Sequence, residues 1–429
     1  MEKKLTRRKL LKNACGAGTL LAFPSIVPSS VLGDTAPSKK IALGFIGMGS
    51  QGTGRNLGTF LNQKDAVALA VCDARKSAAV NAKKKVDEHY KNRDCSVYQD
   101  FRELIARKDI DAVVISTPDH WHIPMSMAAL KAGKDVFCEK PSLTITEGRE
   151  LAQEVARREA VFQWGIEDRS LIKYHRLAGW VRDGAIGKLE AIHVSLPTLK
   201  PHLKDSPAPV PDDLDWNLWL GPAPFRPYTP TLTQPNVWRT ITDYSGGSLT
   251  DWGSHLIDTA QVGAGMDASG PVEVSGSGVI PNPKKFLSNT PGDYNLNYRY
   301  SNHVEMFVKD GGIDIKFVGT DGWVRCEGWN GTWSASSKNI LRIKEFKNLW
   351  PLPPIEHRDF LDSMKTRKPG AYHVEAGHRL ATALHLGHLA IGLDTSVQWD
   401  PDHEAFVGNQ AEFTKSLIYK RSSRNWENV

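Results

Sequence analysis

Residues 40–54 read Lys-Ile-Ala-Leu-Gly-Phe-Ile-Gly-Met-Gly-Ser-Gln-Gly-Thr-Gly. Residues 40–47 read as a short buried strand. The turn Gly47-Met48-Gly49-Ser50-Gln51-Gly52 follows at once, and a helical stretch opens after it. Each glycine of a GxGxxG turn between strand and helix has its own task. Gly47 permits the tight turn, Gly49 lets the backbone approach a pyrophosphate, and Gly52 lets the helix pack on the strand. The helix N-terminus then offers free N–H groups and the positive end of its dipole to an anion. The six residues Gly47 to Gly52 are therefore the first candidate cofactor contacts.

Working outward, Ala66 to Cys72 is a second apolar run, and it ends in Asp73. A carboxylate at this spacing bonds the adenosine ribose hydroxyls and repels a 2′-phosphate, which favours NAD over NADP. Arg75, close behind, softens that preference. The alternative for Asp73 is a strand-end cap. Strand and helix then alternate: strand 111–117, helix 122–132, strand 135–138, helix 144–158, strand 160–164. Such alternation argues a parallel sheet with helices on both faces, and ligands sit at the carboxyl ends of its strands. Two polar clusters fall there, Thr117-Pro118-Asp119-His120-Trp121-His122 and Glu139-Lys140-Pro141. His120 and His122 either line a site or satisfy a loop.

From about residue 166 the pattern changes. A helix over 171–182 leads into the strand that begins at Leu189, and an irregular stretch rich in proline and tryptophan follows. Its tryptophans need burial, in a packed loop or as walls for a sugar. In Gly246-Gly247-Ser248-Leu249-Thr250-Asp251-Trp252-Gly253-Ser254-His255-Leu256-Ile257-Asp258, helical spacing puts Asp251, His255 and Asp258 on one face. An Asp/His pair four apart also suits a metal, but no third ligand is evident and no metal is expected. Residues 271–335 alternate apolar and polar between turn signals, which predicts antiparallel strands. A helix over 374–393 carries His378, His385 and His388, read as packing and surface residues. The expected fold is α/β: an N-terminal doubly wound parallel sheet over 34–165, then an α/β domain with a mostly antiparallel sheet over 166–429.

Residues 1–33 read as an address rather than part of the fold. Thr6-Arg7-Arg8-Lys9-Leu10-Leu11-Lys12 resembles the twin-arginine export motif, an apolar stretch runs from Ala14 to Phe23, and Val31-Leu32-Gly33 offers small residues for cleavage. Of the formal net charge of +6, all but about one unit sits in this segment, so the remainder is near neutral. Neither nucleic acid nor an anionic membrane is expected as a partner, and Cys15 lacks a lipobox. Cys72 and Cys138 end apolar runs and read as buried thiols.

Glu139-Lys140-Pro141 after the fifth strand, with Thr117 to His122 after the fourth, resembles the signature of the Gfo/Idh/MocA oxidoreductases. Asp251 and His255 match that family's second signature. The resemblance covers nearly all of the chain beyond residue 33. It implies a nicotinamide cofactor, a small sugar, polyol or glycoside substrate and a homodimer or homotetramer. It also implies a catalytic set of Lys140, Asp251 and His255, with Pro141 in a cis peptide. His255 would take the hydroxyl proton, Asp251 would orient it or bond a neighbouring hydroxyl, and Lys140 would stabilise the alkoxide. Thr117, Pro118, His122 and Glu139 join the cofactor contacts; His120, Trp121, Arg169, Arg239 and Asp258 are substrate candidates.

Export to the periplasm by the twin-arginine route implies a cofactor loaded beforehand, held tightly and regenerated in each cycle. Two schemes meet this condition, and a third reading from another class stands beside them. A paired oxidoreductase would reduce a second sugar. A redox-neutral glycoside hydrolase or lyase would use transient oxidation. A non-catalytic sugar-binding protein would keep NAD as a structural ligand.

Overall fold

The computed structural model describes residues 40–413 and Arg424. β1 (Ile41–Ile46) is buried along its whole length, as a strand covered on both faces must be. It pairs in parallel with β2 (Ala66–Cys72) on one side and β4 (Ala112–Ile115) on the other. β3 (Ser96–Tyr98), β5 (Asp135–Glu139) and β6 (Phe162–Gly165) complete a six-stranded parallel sheet in the order β3-β2-β1-β4-β5-β6. Strand order reverses between β1 and β4, so a crevice opens there at the carboxyl ends. The helices fall close to the sequence reading, at His122–Lys131 and Ile145–Arg158. The second opens on Thr144, whose side chain accepts from the Glu147 N–H, a cap of about 1 kcal/mol.

The second sheet has nine strands in the order β13-β12-β11-β7-β10-β9-β8-β14-β15. They are β7 (Leu189–Leu196), β8 (Pro271–Val279), β9 (Gly292–Tyr300), β10 (Glu305–Asp310), β11 (Asp314–Gly319), β12 (Gly322–Glu327), β13 (Thr332–Ala335), β14 (Val397–Asp400) and β15 (Ala405–Phe406). All neighbours are antiparallel except β7 and β10, which run parallel. The expected α/β class, with one parallel and one mostly antiparallel sheet, is what the chain forms. In β9, Tyr294, Leu296, Tyr298 and Tyr300 are buried while Asp293, Asn295 and Arg299 are exposed, the two-residue period of a half-covered strand. The helices Gly253–Ala264 and Val374–Leu393 pack against this sheet, and Ile172–Arg182 lies against Gly253–Ala264.

Packing crosses residue 165. The helix Glu356–Thr366 lies on β6 and sends Phe360 and Leu361 into the core that holds Phe45 and Phe60. Both sheets belong to one compact unit. Cys72, Cys95, Cys138 and Cys326 are free and buried, so the two thiol expectations hold. Among the described residues, no helix is long and apolar enough to cross a membrane. The expected leader over 1–33, with Cys15, lies outside the described residues.

Candidate active site

The glycine turn folds as its residue types demand. Gly47 has φ +87°, and a Cβ there would meet the Ser116 and Thr117 backbone. A Cβ on Gly52 would strike the Gly47 carbonyl, whereas one on Gly49 would meet nothing within 4 Å. Gly47 and Gly52 thus close the turn on itself, and Gly49 leaves open space over it. That space belongs to a cavity of about 410 Å³, within the range of small-ligand sites. It runs from Gly47, Gly49, Ser50 and Gln51 past Asp73 and Arg75 to Thr117, Pro118 and His122, then to Glu139 and Lys140. Trp121, Trp219, Trp238, Arg239, Asp251, Trp252 and His255 line the far side. An open cradle at Gly49, a carboxylate at Asp73 and an unbroken path to Lys140 fit a dinucleotide.

Several expected contacts act on neighbours instead. Met48 is buried in the core, and its N–H donates to Asp73 Oδ2 (2.6 Å). Asp73 Oδ1 accepts from the Arg75 N–H (2.7 Å), so Asp73 caps its strand and also faces the cavity. Glu139 Oε1 accepts from Gln51 (2.9 Å) and Asn56 (2.9 Å), tying β5 to the glycine turn. His122 has both ring nitrogens on carbonyl oxygens, Pro141 (2.8 Å) and Thr117 (2.9 Å). The Lys140–Pro141 peptide bond is cis.

Lys140 and His255 are each held by a carboxylate. Lys140 Nζ donates to Asp251 Oδ1 (2.6 Å) and to the Asp251 carbonyl (3.0 Å), while Arg239 Nε lies 3.1 Å from Asp251 Oδ2. Burial works against both charges of the pair. The mutual attraction outweighs it, raising Lys140 and, with Arg239, holding the Asp251 carboxyl well below the usual carboxylate range. His255 Nδ1 donates to Asp168 Oδ2 (2.6 Å), and Trp329 Nε1 donates to Asp168 Oδ1 (3.2 Å). Burial lowers the His255 pKa, but the Asp168 carboxylate more than compensates, and the net shift is upward.

Three expectations need correction. Asp251 does not orient His255; its carboxylate is committed to Lys140 and Arg239, and Asp168 holds the ring. Asp258 and Arg169 do not reach the cavity. They form a buried bidentate pair, Nε to Oδ2 at 2.9 Å and Nη2 to Oδ1 at 2.6 Å, because Asp258 sits deeper under the helix Gly253–Ala264 than His255. His120 is buried, with Nε2 on the Trp219 carbonyl (3.0 Å), and satisfies a loop. Of the tryptophans in the irregular stretch, Trp216 stacks on Trp219 in a core, and Trp219 also lines the cavity.

Sequence reasoning missed Asp168, its neighbour Glu167, and Trp329. Glu167 and Asp168 closely follow β6, at the carboxyl end of a strand of the parallel sheet, and that position was the available signal. One ligand atom each from Glu167, Asp168 and His255 lie within 4.8 Å of one another, the one such metal-capable grouping among the described residues. Helical spacing offered no third ligand to Asp251 and His255; the fold supplies a different trio. Asp168 in it is already bonded by His255 and Trp329, so we read the trio as a proton-handling cluster and assign no metal to it.

Parallel sheet, glycine turn and cavity define a dinucleotide-binding α/β protein. Residues 41–166 match the family model described as the NAD-binding Rossmann fold of an oxidoreductase family, and residues 197–428 match that family's C-terminal alpha/beta domain. The chain belongs to the Gfo/Idh/MocA oxidoreductase family. Among curated proteins it is 34% identical over 140 residues to "Glycosyl hydrolase family 109 protein 1" of Shewanella sp. (strain MR-4), covering 30% of this chain and 29% of that protein. It is 35% identical over 127 residues to an alpha-N-acetylgalactosaminidase of Shewanella oneidensis, covering 28% and 27%. The chain thus spans under a third of these relatives. Among solved structures, an aldose-aldose oxidoreductase from Caulobacter crescentus complexed with glycerol superposes with TM-score 0.61 at 16% identity, covering 84% of this chain and 99% of that one. A levoglucosan dehydrogenase in complex with NADH and L-sorbose gives 0.62 at 19% identity, covering 84% and 98%. These structures share the fold.

Proposed function

We propose that the protein is an exported NAD-dependent oxidoreductase that acts on a sugar, polyol or glycoside hydroxyl and holds its cofactor tightly. The observation that carries this reading is the pairing of Lys140 and His255, each with its own carboxylate, in one cavity with the glycine turn. When bound, the nicotinamide supplies the hydride chemistry. Gly47, Gly49, Ser50 and Gln51 of the turn, with Asp73, Thr117 and Pro118, hold it, and His122 steadies the Thr117 carbonyl beside them. NAD is preferred because Asp73 faces the ribose end, and the Arg75 guanidinium, which would serve a 2′-phosphate, is bound to Asp213 at 3.1 Å. His255, held through Nδ1, keeps Nε2 for the substrate hydroxyl proton. Lys140 stays charged beside Asp251 and stabilises the developing alkoxide. Trp219, Trp238 and Trp252 give apolar faces for a sugar ring.

Export by the twin-arginine route to the periplasm rests on the motif at Thr6–Lys12, and a homodimer or homotetramer rests on the resemblance. Export explains the tight cofactor: a compartment without a nucleotide pool requires regeneration within each cycle. The glycosidase relatives favour a second reading, glycoside cleavage through transient oxidation with no net redox change. The test is to purify the protein without added cofactor, denature it and identify the released nucleotide, then offer sugars and glycosides to the intact protein. Stoichiometric NAD(H) with an oxidised product supports the first reading. Glycoside cleavage without net change at 340 nm supports the second. Absence of nucleotide, with steady turnover on added NAD, overturns tight binding.

A further inference from the structure

Among the described carboxylates that line the cavity, Glu167 alone makes no side-chain hydrogen bond, while Asp73 holds the Met48 and Arg75 N–H groups and Asp119 holds Ser245. Asp168 holds His255, Asp251 holds Lys140, and Glu139 holds Gln51 and Asn56. Glu167 lines the cavity at 7% exposure. Its carboxylate has an Arg55 nitrogen at 3.8 Å and no hydrogen bond at its oxygens among the described residues. One of its oxygens lies within 4.8 Å of a His255 ring nitrogen and of Asp168.

Oxidising an alcohol releases one proton to one base, which His255 supplies. A second base beside it has work only if a second proton moves. The ketone left by oxidation makes the C–H on the neighbouring carbon acidic. A hydroxyl oxygen and the hydrogen on the next carbon are a few bonds apart, so two bases that serve both must stand close together, as these do.

We propose that Glu167 is the base that removes, and later returns, the proton on the carbon adjacent to the oxidised one. The inference rests on the oxidoreductase reading and specifies its glycoside branch. The C–H electron pair moves into an enolate whose oxygen Lys140 faces, and the proton resides on Glu167. Where an alkoxy group stands one carbon further, the same pair forms a C=C bond as the C–O bond breaks, the departing oxygen takes a proton from water, and the hydroxide left adds to the carbon that lost the alkoxy group, which regenerates the enolate. Return of the proton from Glu167 restores the C–H. Burial pushes the Glu167 carboxyl up, aided by Asp168 and Glu139 and opposed by His255 and Arg55. A raised carboxyl is a stronger base for such a proton.

The experiment uses the holoprotein in D₂O with a panel of methyl glycosides, following absorbance at 340 nm and locating deuterium in the recovered sugar by NMR. The wild type is expected to place deuterium at a single carbon, because the proton held on Glu167 exchanges with solvent, and to change the absorbance wherever the hydride is not returned. Glu167→Gln, checked for bound nucleotide and melting temperature, is expected to lose incorporation by about 100-fold or more, while oxidation of the sugar still registers at 340 nm. Glu167→Asp, which keeps the charge but withdraws it by one methylene, is expected to incorporate slowly. Wild-type incorporation in Glu167→Gln, or a wild-type absorbance change with no incorporation from any glycoside, overturns the role of Glu167. Glycoside cleavage without incorporation overturns the role of Glu167 as well, and absence of absorbance change, cleavage and incorporation alike overturns the oxidoreductase reading itself.

Discussion

At the scale of the residue, His255 and Asp168 form a dyad whose pH behaviour is fixed by its surroundings. His255 acts as a base only when neutral, and Asp168 raises its pKa above the ordinary value of 6.5. Turnover is therefore expected to rise with pH through a limb above the usual histidine range. Asp168→Asn removes the carboxylate but keeps the burial, which lowers the pKa, so the limb is expected to move to lower pH. A pH–rate profile that keeps its position in Asp168→Asn contradicts the dyad. His255→Ala is expected to lose about 10²- to 10⁴-fold in turnover while still binding nucleotide, checked by nucleotide content beside activity. The sequence exposed His255 through a local helical pattern. It hid Asp168, because the two meet across 87 residues and no periodicity links the end of β6 to the helix at Gly253.

At the scale of the element, the helix Gly253–Ala264 shows what spacing reveals and what it does not. Residues three, four and seven apart share a face, and the face reading grouped Asp251, His255 and Asp258. Two things separate them in space. The helix Gly247–Asp251 ends before Trp252, and Asp258 lies in the core against Arg169. Removing one partner of such a buried pair leaves an uncompensated charge. Asp258→Ala is therefore expected to cost about 3–5 kcal/mol of stability, read by denaturant unfolding, with KM for substrate unchanged in the folded fraction. A raised KM with unaltered stability would return Asp258 to the substrate site. The segment before the helix Trp216–Leu220 behaves as a strap. The Asp213 carbonyl accepts from the Lys76 N–H (2.7 Å), its carboxylate bonds Arg75, and the Asp215 N–H donates to the Ala74 carbonyl (2.9 Å). These bonds lay Leu214 and Trp219 along the cavity that Asp73 also lines. Asp213→Ala is expected to speed nucleotide dissociation severalfold, measured by chasing bound NADH fluorescence; an unchanged rate separates the strap from cofactor retention. Proline and tryptophan marked this segment as buried loop, but which strand it would cross was not legible from composition.

At the scale of the molecule, the site lies where two sheets meet, and neither half carries it alone. The parallel sheet brings the glycine turn, Asp73 and Lys140; the later segments bring Asp251, His255 and the tryptophan walls. The parallel sheet was legible because strand–helix alternation and the GxGxxG turn agree locally. The second sheet was legible as antiparallel strands, but the parallel pairing of β7 with β10 was not, since a long crossover carries no local signal. The return of the helix Glu356–Thr366 to the first sheet was hidden for the same reason.

The most direct measurement is the 340 nm absorbance of the intact protein, purified with whatever nucleotide it holds, as sugars and glycosides are added one at a time. For a retained-cofactor oxidoreductase, one class of sugar changes the absorbance by one equivalent per site and then stops, and Lys140→Met abolishes the change. A protein that contains nucleotide, yet shows no absorbance change and no cleavage with any sugar or glycoside, would contradict this assignment and leave the dinucleotide a structural ligand.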